Sequence, residues 1–164
     1  MKKELSKETF DELLKQLSLT PALTKDKVAF KERVHTTNKS NILLKSKLVH
    51  YSTSNTKLND IVNTISGKKT KDIIAFHTVE STPPNRTTPH VDPYSECTLN
   101  ILLEDDFEGG EFYLNDKEYK NLYKKGQYAL YNGSTDKHAV SKVTKGVRKT
   151  LIVWYKQSTD KSIL

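Results

Sequence analysis

One cysteine, Cys97, stands in a chain of 164 residues. A single thiol cannot close an intrachain disulfide, so the fold has to rest on its core, and a reducing, cytoplasmic setting is expected. No apolar run approaches the roughly 20 residues of a membrane-spanning helix, and no membrane partner is expected. The opening Met-Lys-Lys-Glu-Leu-Ser-Lys has basic residues with no apolar stretch behind them, so no secretory leader is expected either. Arginine is nearly missing. Of 27 basic residues only Arg33, Arg86 and Arg148 are arginines, which leaves 24 lysines (27 − 3). Net charge is +7, but lysine lacks the planar fork that reads bases, and the lysines are scattered without an aromatic platform. A solvated surface is a better account of them than a nucleic-acid patch. Internal repeats and low-complexity blocks are absent too.

What remains is a composition typical of one soluble globular domain, 1–164, able to bury roughly two-thirds of its surface on folding. Residues 6–18 read as an amphipathic helix, with Ser6 as cap, Leu5 stapled onto Phe10, and a stripe of Phe10, Leu13, Leu14 and Leu17. Residues 22–46 read as irregular, with a short strand near Lys27–Phe30, an ambiguous run Ile42-Leu43-Leu44, and His35 as an ordinary histidine. A strand is expected at Leu48–Ser52, with His50 packing rather than binding a metal. A second helix is expected over 56–66, with Leu58, Ile61, Val62 and Ile65 on one face and Gly67 as its stop. From Asp72 the pattern turns to strands: Asp72–Val79, Glu96–Leu103, Phe112–Leu114, Gln127–Asn132, His138–Val143 and Arg148–Tyr155. Between them lie a proline-rich loop, 81–89, an acidic turn, 105–111, a polar loop, 115–126, and a turn at Lys145-Gly146. The expected organisation is helical support in 1–70, a strand-rich core in 71–156 and a loose tail in 157–164. The expected fold class is mainly β with flanking N-terminal helices, a sandwich or jelly roll.

Chemistry concentrates at Thr88-Pro89-His90-Val91-Asp92-Pro93. Pro89 and Pro93 disfavour helix at the residues before them, and in extended chain His90 and Asp92 leave the same face. An imidazole and a carboxylate on one point make two-thirds of a 2-His-1-carboxylate site; one more histidine would complete it. Taken alone, a His-x-Asp is as compatible with an ordinary loop. His138, 46 residues on, is the natural third ligand, though a lone histidine beside Ala-Val also suits a core. His77 lies across the proline-rich loop and reads as packing or substrate contact. Ten residues past His138 comes Arg148. Alternation in the last strand puts Arg148, Thr150, Ile152 and Trp154 on one face. An arginine among apolar neighbours needs an anion, either a ligand's carboxylate or an acidic side chain.

Together these pieces resemble the iron(II)- and 2-oxoglutarate-dependent dioxygenases over about residues 75–156. His90-x-Asp92, His138 and an arginine ten residues later match that family in order and spacing. Phe107-Glu-Gly-Gly-Glu-Phe112, Gly126-Gln-Tyr-Ala-Leu-Tyr131 and Gly146-Val-Arg148 match its neighbourhood. The chain looks most like the prolyl and lysyl hydroxylase branch, with Thr98-Leu-Asn100 similar to a strand beside the cosubstrate. It departs from that branch at Arg148, where lysine is usual, and at His77 or Thr78, where a tyrosine is usual. The resemblance implies a cupin-like double-stranded β-helix in which His90, Asp92 and His138 bind Fe(II). Arg148 would grip the distal carboxylate of 2-oxoglutarate with Thr150 assisting, and Thr98 and Asn100 would touch the cosubstrate. It further implies hydroxylation of a C–H bond by molecular oxygen, with 2-oxoglutarate decarboxylated to succinate and ascorbate as an accessory reductant. A peptide or protein substrate is expected. Nucleic acid ranks lower, because the repair branch has a further arginine that Lys149–Tyr155 lacks. A free amino acid and a non-catalytic, cupin-like metal-binding module stay open, as does the oligomeric state.

Overall fold

The computed structural model describes residues 3–24 and 46–157. The strand expected near Lys27–Phe30, His35 and the run Ile42-Leu43-Leu44 lie outside the described residues, as does the tail from 158. Both α-helices lie in the first part of the chain, with one strand between them. In α1 (Lys7–Ser18) the Ser6 side chain accepts from the Thr9 amide at 3.1 Å, and in α2 (Thr56–Ser66) the Asn55 side chain caps Lys57 and Leu58. Gly67 ends α2 at φ 73°, a left-handed conformation that costs glycine little. Phe10, Leu13 and Leu17 are buried as the stripe predicts. Leu14 is not: it is 37% exposed, and Gln16 takes the inward position instead.

The described residues form eleven strands, one between the helices and ten after α2. β1 (Ser46–His50), β2 (Ile73–Ser81), β11 (Arg148–Tyr155), β4 (Cys97–Glu104) and β8 (Tyr128–Tyr131) form one sheet in the order β1-β2-β11-β4-β8. β3 (Thr87–His90), β9 (His138–Val140), β6 (Phe112–Leu114) and β7 (Lys117–Glu118) form a second, β3-β9-β6-β7, and β5 (Phe107–Gly109) pairs with β10 (Val143–Gly146). From β2 onward the chain passes back and forth between the two sheets: β3 in the second, β4 in the first, β6 and β7 in the second, β8 in the first, β9 in the second, β11 in the first. The strand pairings among the described residues are antiparallel. This winding is the double-stranded β-helix.

Several boundaries differ from expectation. Within the acidic turn, Phe107–Gly109 is a strand, because β10 comes alongside it. The predicted strand His138–Val143 breaks in two, and Lys145-Gly146 belongs to β10 rather than to a turn. The polar loop contains β7. The proline-rich segment contributes β3, an edge strand, where Pro89 removes no hydrogen bond that a central strand would need.

Alternation along the long strands sorts the interior into two kinds. Cys97, Leu99, Ile101 and Leu103 of β4, with Leu151, Val153 and Tyr155 of β11 and Phe76 of β2, meet Phe10, Leu13, Leu17, Leu58 and Val62 of the helices. Each fully buried leucine or valine there contributes about 1.5–3 kcal/mol. The residues between them point the other way, toward the second sheet. On that inner face Leu102 and Ala129 pack with Phe112 and Leu122. Across from Leu102 and Ala129 stand Thr150 and Asn100, which with Arg148 are buried and polar. A sheet that is apolar toward its helices and polar toward its interior is built to hold something polar inside.

Cys97 lies on the helix side, 8% exposed and free. Cys97→Ser is therefore expected to leave bound metal per chain unchanged. Burying a hydroxyl in that cluster should cost about 1–3 kcal/mol, read as a lower Tm. A fall in metal content would mean that the register of β4 is misassigned.

Candidate metal and anion site

His90 closes β3 and His138 opens β9, and the two are paired across the sheet. Their rings lie 4.4 Å apart between centroids. Asp92, two residues past His90, turns its carboxylate between them: Oδ2 is 2.9 Å from His138 Nε2 and Oδ1 is 3.6 Å from His90 Nε2. One donor atom from each of the three lies within 4.8 Å of the others.

The orientation of both rings is set by backbone. His90 Nδ1 is 2.8 Å from the Thr88 carbonyl, and His138 Nδ1 is 2.8 Å from the Asp136 carbonyl. A carbonyl only accepts, so each Nδ1 carries the proton and donates it. With the rings neutral, each Nε2 then offers a lone pair toward a carboxylate that is also an acceptor. Two lone pairs and a carboxylate facing one point call for a cation between them. Nitrogen and oxygen donors of this kind, three in number, fit Fe(II) with open positions left over. The donated Nδ1 protons are the outer support that a ligating histidine needs.

A single turn, 132–136, holds two of the three clustered side chains. Asp92 N–H donates to the Gly133 carbonyl at 2.7 Å, and His138 is aimed by Asp136 as above. The turn is itself tied: Asn132 N–H donates to Asp136 Oδ2 at 3.1 Å, and Ser134 N–H to Asn132 Oδ1 at 2.9 Å. At Gly133 a Cβ would stand 2.5 Å from Thr98 Oγ1 and 3.3 Å from Ser95. Gly133→Ala is accordingly expected to push the turn off Thr98, lowering Fe(II) affinity by about 10–100-fold, as changes to a ligand's supporting contacts do. Adding Thr98→Ala should recover part of the loss. Equal metal affinity in Gly133→Ala and parent would sink this account of the turn.

The triad opens into a cavity of about 70 Å³. Asn100, Tyr131, Arg148, Thr150, Ile152 and Trp154 line it along with His90, Asp92 and His138. Arg148 is 5% exposed, and its Nε and Nη2 find no hydrogen-bond partner. Among the described residues no carboxylate pairs with it; its guanidinium stands 5.9 Å from the Phe107 ring centroid. Gly110 makes room, since a Cβ there would lie 3.0 Å from Arg148 Cδ. Burial lowers the Arg148 pKa to about 10, the nearby Tyr131 acting the other way. It still carries its charge at neutral pH. A buried cation with two idle donors is a site for an anion.

The structure brings Asn100 and Thr150 to this cavity but not Thr98. The Thr98 hydroxyl is 2.7 Å from Ser95 Oγ and sits under Gly133, so its visible role is support for the turn. His77 is fully buried between His50, at 5.1 Å, and Trp154, at 5.3 Å, outside the metal cluster. Sequence reasoning missed Tyr131. Its ring is 5.1 Å from that of His138. Burial first, then the Asp92 charge, push its phenol well above the ordinary range, with Asn100 and Arg148 pulling the other way, so it stays a neutral donor. No sequence signal pointed to it: Tyr131 comes in through the β4–β8 register, opposite Thr98.

No family profile and no curated protein matches the chain. Solved structures do. A prolyl hydroxylase from Trichoplax adhaerens, in complex with a hypoxia inducible factor peptide fragment, is similar at TM-score 0.65 and 14% identity, over 95% of this chain and 81% of that one. A prolyl-4-hydroxylase from Pseudomonas putida gives 0.59 and 12%, over 96% and 91%. The viral collagen prolyl hydroxylase of Paramecium Bursaria Chlorella virus-1, a 2-oxoglutarate complex, gives 0.59 and 15%, over 96% and 94%. The likeness is one of fold.

Proposed function

We propose that this chain is an Fe(II)- and 2-oxoglutarate-dependent dioxygenase that hydroxylates a prolyl or lysyl side chain of a peptide or protein. One observation carries the reading: a two-histidine, one-aspartate cluster and a buried, unpartnered arginine line the same cavity. His90, Asp92 and His138 would hold the metal. Arg148 would hold the far carboxylate of 2-oxoglutarate, with Thr150, Asn100 and the neutral Tyr131 hydroxyl around it. Bound together, Fe(II) and 2-oxoglutarate would activate oxygen, one atom going to succinate and the other to the substrate's C–H bond. This chain's own contribution is to orient the imidazoles through Thr88 and Asp136, to position Asp92 through Gly133, and to keep the anion subsite charged and dry. A non-catalytic metal module would account for the triad and leave the Arg148 charge buried without purpose. No described helix is long and apolar enough to cross a membrane. The cytoplasm is the proposed setting for the one free thiol.

The test has two stages. Anaerobic protein with Fe(II) should develop the metal-to-ligand charge-transfer absorbance of a 2-oxoglutarate complex. On admitting oxygen, proline- and lysine-bearing peptides should gain a hydroxyl by mass spectrometry as succinate forms. Turnover on oligonucleotides or free amino acids but on no peptide would move the substrate class and keep the chemistry. Absence of both the absorbance and succinate would overturn the enzyme.

A further inference from the structure

Beside the cavity, along β3, β9 and β6, lies a groove of about 390 Å³. Arg86, Thr87, His138, Ala139 and Val140 line both, so the groove adjoins the cavity beside one member of the triad, His138. Its wall is mostly uncharged, with Pro89, Tyr113 and Ala139 among its residues. Its charges are Arg86, Lys137 and Lys142 against one carboxylate, Asp116. The three cations come from three segments: Arg86 precedes β3, Lys137 precedes β9, and Lys142 lies between β9 and β10. Each is exposed, and none makes an ion pair among the described residues, whereas Lys7 and Lys145 pair with Asp11 at 2.8 Å and Glu108 at 3.8 Å.

Their backbones are anchored. Next to Arg86, the Asn85 carbonyl accepts from Val143 N–H at 2.8 Å, and the Lys142 carbonyl accepts from Gly110 N–H at 3.0 Å. Lys137 N–H donates to Asn115 Oδ1 at 3.0 Å. Anchored backbones keep the three cations at one groove before any ligand arrives, where their charges add on an anion. One of them is an arginine, in a chain that has only three, and its fork suits a carboxylate.

We propose that this groove holds an acidic segment of the substrate, so that the residue hydroxylated is flanked by aspartate or glutamate. The inference rests on the peptide reading above and narrows it. Single-stranded nucleic acid fits less well. It would want a series of stacking rings, and the groove has one aromatic, Tyr113. A phosphate chain would also carry charge past Asp116 in every register, where a peptide can place an uncharged residue.

The experiment measures fluorescence anisotropy with metal-free protein. The probes are a labelled proline peptide flanked by glutamates, its glutamine counterpart, and a deoxythymidine oligonucleotide of equal charge. The glutamate peptide is expected to bind about tenfold tighter than the glutamine one at low salt, the preference fading as salt rises. The variant Arg86→Gln/Lys137→Gln/Lys142→Gln should lose that preference. A control removing as much charge elsewhere, Lys15→Gln/Lys57→Gln/Lys156→Gln, should keep it. Equal binding of the two peptides, equal loss in both variants, or tighter binding of the oligonucleotide would each overturn the proposal. The 2-oxoglutarate absorbance, measured separately, should be the same in the parent and in Lys137→Gln/Lys142→Gln, which leaves Arg86 of the cavity lining in place. Its absence from the parent would count against the dioxygenase reading and leave the peptide result standing.

Discussion

Replacing Asp92 by alanine should abolish stable Fe(II) binding and turnover while the chain remains folded. Among the described residues the Asp92 carboxylate is the acidic group that reaches both imidazoles, 2.9 Å from one and 3.6 Å from the other. Removing it leaves two neutral nitrogen donors, and two ligands hold Fe(II) poorly. The loss should exceed the 10–100-fold typical of changing a ligand's outer support. Folding should survive, because the backbone hydrogen bond from residue 92 to the Gly133 carbonyl does not need the side chain. His138→Ala should behave alike. Asp92→Glu is the finer test: its longer carboxylate should misplace the metal and lower turnover rather than abolish it. Metal content, turnover at limiting iron and circular dichroism together decide. Full activity in either alanine variant sinks the ligand assignment.

Arg148→Met should weaken 2-oxoglutarate binding by about ten- to a hundredfold. A bidentate charged hydrogen bond is worth on the order of 1.5–3 kcal/mol, and 1.4 kcal/mol is one decade. Arg148→Lys should retain part of the affinity as a point charge without the fork. Iron affinity should barely change in either, since Arg148 is not one of the clustered donors. The readout is 2-oxoglutarate titration of the anaerobic Fe(II) protein by its charge-transfer absorbance. If Arg148→Met binds as tightly as the parent, the anion sits elsewhere and the two idle nitrogens of Arg148 have another purpose. Stability should point the other way: taking an unpaired cation out of a buried site removes a desolvation cost, so the ligand-free Tm of Arg148→Met should not fall.

Much of this is legible in the order of the residues. The two helices follow from apolar residues three and four apart and from Ser6 and Gly67 at their ends; Asn55, an equally good cap by residue type, escaped the sequence reading. The last strand follows from strict alternation, and the same alternation places Arg148 and Thr150 together on one face. His90 and Asp92 share a face because extended chain has a period of two, and the prolines keep it extended. Leu14 shows the limit of such patterns: a helical stripe says which residues could face inward, and the packing partner decides how wide the buried part is.

The rest depended on what lies across from what. Thr98 and Asn100 are equivalent by period, yet one is closed over by Gly133 and Ser95 while the other borders the cavity, because Gly133 comes from a turn more than 30 positions later. Tyr131 joined the site through the β4–β8 register, which no local pattern encodes. The acidic turn became a strand only because β10 arrived beside it. By itself the sequence determined the candidate donor types, their spacing and the faces they leave, since residue type and alternation are read along the chain. Which donors are left without partners, and so what the cavity can bind, was decided by strand register and turn contacts, since a side chain is satisfied or idle only relative to groups far away in the chain.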